Sequence, residues 1–165
     1  MKPRTGGRAC GGLIVTPPAD RTGLSADSIV LTLDGEKSLA DIRPGDRVIT
    51  RDTGIAVVQW ITIARHLTRI IRIRAGSLGH TRPDRDVTLP AAQPILVRDW
   101  RAQAIFGAPQ IIVPASRLVD GEFVTLHTAQ EILLCSLGFD HPHVLYVDGL
   151  ELASGPAAAL TAAGV

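Results

Sequence analysis

The sequence predicts an all-β fold built from many short strands, on three observations. Segments rich in β-branched and apolar residues recur along the chain, among them IAVVQWITIA at 55–64 and the alternating run TRIIRIR at 68–74. Glycine and proline are frequent, at 16 and 11 of 165 residues, and punctuate these runs. No long helical period is present, and nothing repeats at the length of a solenoid unit. With 45% hydrophobic and 20% charged residues, the chain reads as one globular domain with a core of its own.

Residues 1–22 read as a flexible arm. They carry Cys10 within ACGGL, and their apolar part, Leu13 to Val15, is too short for a signal peptide. Ser28 to Leu33 is the first strand, closed by a hairpin at Asp34-Gly35, where glycine accepts the positive φ of a tight turn. Leu39 and Ile42 stand three apart, the spacing of one helical turn resting on a core. Pro44-Gly45-Asp46 is a second turn, followed by alternation with Val48 and Thr50 on one face and Ile49 on the other. Arg65, Arg69, Arg72 and Arg74 lie in the next strands and read as a solvated face.

The loop AGSLGHTRPDRD leads to short strands around Val87 to Leu89 and Ile95 to Arg98. Pro90 and Pro94 bracket PAAQP and confine that segment to a sheet edge. VPASRLVDG at 113–121 reads as one helical turn ended by Asp120-Gly121. Phe123 to His127, Glu131 to Phe139, His143 to Val147 and Leu150 to Leu152 complete the strands. Residues 155–165 read as a frayed tail.

Composition excludes several functions. A net charge of +1 argues against nucleic acid as a partner, since phosphate neutralisation needs a basic excess. No run is long enough to span a bilayer as a helix. Cys10 and Cys135 supply neither a disulfide framework nor metal-ligand spacing, and Cys135 within EILLCSLGF reads as a buried free thiol. No cofactor or metal is expected, and the chain is expected to be a monomer whose protein partner, if it has one, the sequence does not name. Without a signal peptide, a cytoplasmic place and secretion by another route both stay open.

The segment SIVLTLDGEKSLADIRPGDRVITRD resembles the opening of Hint domains, the hedgehog/intein autoprocessing fold, and is most similar to their bacterial subgroup. The resemblance continues at VVQWITIAR, IRIRAGSLG, VTLPAAQPILVRD, ASRLVDGEFV and FDHPHVLYVDGLELAS, and so spans residues 23–154. It implies a horseshoe-like all-β fold with pseudo-twofold halves. It also implies a chemistry: a Cys or Ser at the first position attacks the preceding carbonyl. A Ser-x-x-His or Thr-x-x-His segment protonates the scissile amide, and an Asp or His near the final hairpin assists.

Carried over by position, the family's nucleophile falls on Gly23, which has no side chain to attack with. Its Ser-x-x-His falls on Pro90-Ala91-Ala92-Gln93, and Gln93 can donate a hydrogen bond but delivers no proton near neutral pH. Asp140 matches the family's Asp, and His141 or His143 stands near its His, with Pro142 disturbing the register. The resemblance therefore implies the scaffold of an autoprocessing domain, with a structural or interaction role in place of the reaction. The alternative is residual self-cleavage through Ser25 or a displaced Cys10. Asp140, His141 and His143 also suggest a metal or acid–base cluster, but no third ligand is legible, and a turn aspartate with partly exposed histidines is expected. Trp60 and Trp100 read as core or rim aromatics, and the convergence of Gly23, Gln93 and Asp140 in one cleft is expected.

Overall fold

A computed structural model describes residues 21–79 and 81–155. Cys10, the arm over 1–20 and the tail over 156–165 lie outside the described residues. Twelve strands among the described residues form two antiparallel sheets. The smaller sheet has the order β1 (Leu24–Ser25), β10 (Val124–Gly138), β6 (Trp60–Ile73) and β7 (Val87–Pro90). The larger runs β9 (Ile111–Pro114), β8 (Pro94–Val97), β12 (Leu150–Ala153), β11 (Val144–Val147), β2 (Ile29–Thr32), β4 (Arg47–Thr50) and β5 (Gly54–Val57), with β3 (Gly35–Ser38) also paired to β2. Among the described residues no helix is long and apolar enough to cross a membrane.

The opening module folds as its turns dictate. β2 turns through Leu33-Asp34 into β3, with Thr32 opposite Gly35. Ser38 then caps a 3-10 turn, Leu39–Asp41, by accepting the Ala40 N–H, and this sets Leu39 and Ile42 into the core. The Pro44-Gly45 turn closes through Asp46 N–H to Arg43 O at 3.0 Å, and Gly45 takes the φ of 95° that a type II turn needs after its proline. The Arg43 N–H and the Lys37 ammonium hold the Asp46 carboxyl below the ordinary carboxylate range.

β11 is the centre of the larger sheet. It pairs with β12 through the turn Asp148-Gly149, where both residues have positive φ as a tight hairpin demands. It also meets β2 and β4, through Val147 to Val30 and Leu145 to Thr50. Leu145 and Val147 are fully buried and pack with Ile71, Ile73 and Leu89 of the smaller sheet into one core, while Val144, also buried, packs with Leu96, Ile112 and Ala153 in a second, smaller cluster.

Several sequence expectations need correction. The runs at 55–64 and 68–74 are divided differently: β5 ends at Val57, and the second half joins one 14-residue strand, β6. Its partner β10 is likewise continuous over 15 residues, with a bulge between His127 and Gln130 where two strands were expected. One α-helix, Trp100–Phe106, interrupts the all-β reading; Asp99 caps its start and Gly107, in the left-handed region, its end. Pro90 does end an edge strand, but Pro94 opens the interior strand β8. It is tolerated there as a first residue facing Pro114, so neither member of that pair needs a ladder N–H. Trp60 and Trp100, at 51% and 66% exposure, are rim residues.

The hairpin β11–β12 also carries the one strongly buried acid of the last strand. Glu151 is 3% exposed, accepts two hydrogen bonds from Arg98 at 2.7 and 2.6 Å and one from Arg82 at 3.2 Å, and has Arg51 Nε at 3.6 Å. Burial alone raises its carboxyl, and the arginines more than offset that, so it titrates below the ordinary carboxylate range. Stability from this group is therefore present above the unfolded-state value and lost as pH falls through the lowered one. Glu151→Gln is expected to cost about 3 kcal/mol at neutral pH, the low end for breaking a buried pair, because the arginines keep some solvent. It should also flatten the acid limb of stability below about pH 4.3. Urea unfolding of both proteins across that range checks the size and the sign.

Candidate functional site

The segment Pro90-Ala91-Ala92-Gln93 is a turn, closed by Gln93 N–H to Pro90 O at 3.1 Å. Its carbonyls are held from the far side by the next 3-10 turn, Ala115–Leu118: Ser116 N–H donates to Ala91 O and Ala115 N–H to Gln93 O, both at 2.9 Å. The backbone of Gln93 is thus fixed, and its side chain, 1% exposed, points between the sheets. Oε1 accepts the Gly23 N–H at 2.9 Å, while Nε2 donates to Ala153 O at 2.7 Å and Pro94 O at 3.1 Å. The partners fix the orientation of the amide, since an N–H needs an acceptor and two carbonyls need a donor.

Gly23 leads into β1 with φ of 147°, a region L side chains rarely enter, and a Cβ built there would stand 3.3 Å from Leu134 Cβ. A small cavity of about 40 Å³ lies beside it, bordered by Thr22, Gly23, Gln93, Cys135, Ser136 and Ser154. Cys135 supplies no nucleophile there, because burial pushes its thiol up to about 11. Ser25 does not line the cavity; its Oγ donates to Asp27 Oδ1 at 2.5 Å, and its strand position faces Leu134.

A second cluster sits just before β11. His143 is 2% exposed, with Nδ1 at 2.8 Å from Asp52 Oδ2 and Nε2 at 3.1 Å from Asp140 Oδ1. Asp52 comes from the turn between β4 and β5, and its other oxygen accepts the Val144 N–H at 3.0 Å. The Phe139 ring stands edge-on to the imidazole at 5.5 Å. The contact with His143, then the His141 N–H, holds Asp140 below the ordinary carboxylate range against a small opposing effect of burial. A cleft of about 390 Å³ opens beside the cluster, lined by Thr53, Ile55, Val57 and Gln59.

The structure brings Gly23 and Gln93 into direct contact. Asp140 does not reach them; it lies one step away, through His143, whose N–H donates to Ser154 Oγ and whose carbonyl accepts the Ser154 N–H, both at 2.8 Å. The two histidines do not share a strand face, because Pro142 keeps His141 in the loop before β11. His143 is buried where partial exposure was expected, and only His141, at 52%, is open to solvent. Asp52 was missed. It closes the quoted stretch ITRD, yet 91 residues separate it from His143, and no local spacing connects them.

The strands pair in two antiparallel sheets around a turn whose Gln93 side chain accepts the Gly23 N–H, at the start of the first strand. The sequence profile of the Hint domain matches residues 22–155, and the chain belongs to the Hint-domain family. A comparison with curated proteins finds no match. Among solved structures, the bacterial intein-like domain from Clostridium thermocellum is similar at 17% identity with a TM-score of 0.59, over 82% of this chain and 99% of that one. The TvoVMA intein is similar at 10% identity with a TM-score of 0.58, over 82% and 98%. These likenesses establish the fold.

Two outcomes follow for the site. Gln93→Ala removes the side-chain partner of the Gly23 N–H and of the Ala153 carbonyl and is expected to cost about 3 kcal/mol. Gln93→His keeps one acceptor and one donor and should lose about 1 kcal/mol. Urea unfolding ranks the two, and equal losses would contradict the amide's two-ended role. Cys135 should stay unlabelled by iodoacetamide in the folded chain at about pH 8 and react once unfolded, as peptide mass mapping would read.

Proposed function

We propose that this Hint domain does not process itself and is kept as a structural or interaction module. The observation that carries the reading is the direction of one hydrogen bond. In the family's reaction, the amide nitrogen of the first residue must gain a proton to leave. Here the group at the family's proton-donor position, Gln93 Oε1, accepts a hydrogen from that nitrogen at 2.9 Å. An amide N–H that donates keeps its lone pair in resonance with the carbonyl, so the nitrogen is held in its least basic form. The donor end of Gln93 is occupied by Ala153 O and Pro94 O, leaving no proton donor from this residue for the Thr22 carbonyl.

The attacking group is missing as well. Gly23 has no side chain, and the backbone there disfavours one. Asp140, His143 and Asp52 are held together and can move or hold a proton. They meet Ser154, which borders the Gly23 cavity, through the backbone of His143. An interaction role has a surface to draw on: Ile63, Leu67 and Leu133, each exposed by 42% to 54%, crowd the free part of the β6–β10 ribbon.

The test follows the intact mass of the purified chain for days, from about pH 6 to about pH 9, with and without a thiol. The mass is expected to stay unchanged. A break before Gly23, Ser25 or Cys10 that Asp140→Ala abolishes would overturn the proposal in favour of residual self-cleavage. Gly23→Cys alone should leave the chain uncleaved, since loss of one preorganised donor slows such reactions about a hundredfold or more. Gly23→Cys with Gln93→His should cleave faster than Gly23→Cys, although Pro90 and the strained backbone hold the rate low. Rapid cleavage by the single change would show that a proton donor has been overlooked.

A further inference from the structure

Glu151 gathers more cations than it needs. Arg98 grips both of its oxygens, at 2.7 and 2.6 Å, and that bidentate pair alone offsets the charge of a carboxylate. Arg82 and Arg51 are drawn in as well, at 3.2 and 3.6 Å, so three guanidiniums surround one acid and two positive charges are left over. Each guanidinium has five N–H donors, of which Glu151 takes two from Arg98 and one from Arg82. Arg51 gives one to the neutral Gln110, and its Nε is buried with no hydrogen-bond partner among the described residues. Nearby acids do not make up the difference. Asp99 is bound by Arg101 and Asp148 by Arg85, while Asp84 is exposed and makes no ion pair among the described residues.

Arg82 and Arg98, 40% and 38% exposed, border a pocket of about 80 Å³. With Glu151 they form its charged side, and Leu78, Ile95, Val97, Leu118 and Leu150 form apolar walls. Neighbouring strands of the larger sheet build this mixture: β8 supplies Ile95 and Val97 and runs out into Arg98, and β12 supplies Leu150 and Glu151. Apolar walls with a few converging polar groups are the usual form of a binding pocket. The space takes about two or three waters, or one aliphatic side chain.

We propose that this pocket binds the C-terminal carboxylate of a peptide whose last residue is aliphatic. The carboxylate takes free N–H groups of Arg82 and Arg98, and the last side chain lies against Val97, Leu118 and Leu150. Guanidinium suits such a planar anion, which it meets with two parallel N–H donors. A chain terminus fits better than an aspartate or glutamate side chain, because in a terminal leucine the carboxylate and the branched group leave the same carbon. An acidic side chain or a phosphate would fill the charged side and leave the apolar walls uncovered. Capture of a terminal carboxylate is an established mode of peptide recognition. None of these residues belongs to the Gly23 or His143 cluster, so the proposal holds whether or not the chain cleaves itself.

The test is an NMR titration of the full chain at low salt with the peptide acetyl-Ala-Ala-Leu, beside its C-terminal amide, acetyl-Ala-Ala-Gly and inorganic phosphate. The free acid should shift the backbone amides of Gly79, Arg98 and Gly149, which border the pocket, and saturate with a Kd below about 1 mM. The C-terminal amide lacks the charge and should bind about tenfold or more weakly. The glycine peptide leaves the apolar walls uncovered and should lose about tenfold as well. Arg82→Gln removes one cation and one long contact to Glu151; it should leave the circular dichroism unchanged and weaken the free acid about tenfold. No saturable shift below about 1 mM would overturn the proposal. So would an amide or a glycine peptide that binds as tightly as the free acid, or affinity that survives Arg82→Gln. Phosphate that binds as tightly as the peptide would mean a general anion site and would overturn it too.

Discussion

One neutral amide ties the domain together. Gln93 takes the backbone N–H that leads into the first strand of the small sheet and gives its own N–H to the last strand of the large one. These two strands are not paired with each other: β1 lies on β10 and β12 on β11 and β8, and the side chain of Gln93 spans the gap. Because the amide carries no charge, this tie holds at any pH where the protein is folded. Both ends of the group are engaged, Oε1 by the Gly23 N–H and Nε2 by the Ala153 and Pro94 carbonyls.

The rigidity of that tie comes from its backbone. A turn with two prolines at its borders restricts φ, and the N–H groups of the 3-10 turn Ala115–Leu118 occupy the turn's outward carbonyls. Gln93 therefore meets its three partners without having to order a loop, which is where the entropy cost of such a bridge usually lies. The same economy is visible at His143. Its backbone is clasped by Ser154 and its ring by Asp52, so the imidazole is fixed in place. Ser154 follows Ala153 directly, which places the two clusters back to back on the end of one strand.

Much of this was legible in the sequence, for physical reasons that can be named. Asp34-Gly35 and Pro44-Gly45 encode turns in their own dihedral preferences, with the first hairpin centred one residue earlier, on Leu33-Asp34, and Leu39 with Ile42 reports a core-facing turn by spacing alone. The resemblance placed Gly23 beside Gln93, and the coordinates put them in hydrogen-bond contact. What escaped was either non-local or masked by a local break. Asp52 meets His143 only through the fold. Pro142 interrupts the alternation that would have marked His143 as buried. The bulge between His127 and Gln130 made one long strand read as two. The helix Trp100–Phe106 is too short to show a period, though Asp99 and Gly107 were its caps in plain view.

The account depends most on the bond between Gln93 Oε1 and the Gly23 nitrogen, and amide hydrogen exchange at Gly23, followed by NMR, tests it directly. No other acceptor within the described residues holds that N–H. The account predicts slow exchange, protected about as well as core strand amides such as that of Cys135, and near-complete loss of protection in Gln93→Ala while Cys135 stays protected. Exchange at the rate of an open loop in the unaltered protein would contradict it, because the Gly23 N–H would then have no lasting acceptor in Gln93 Oε1.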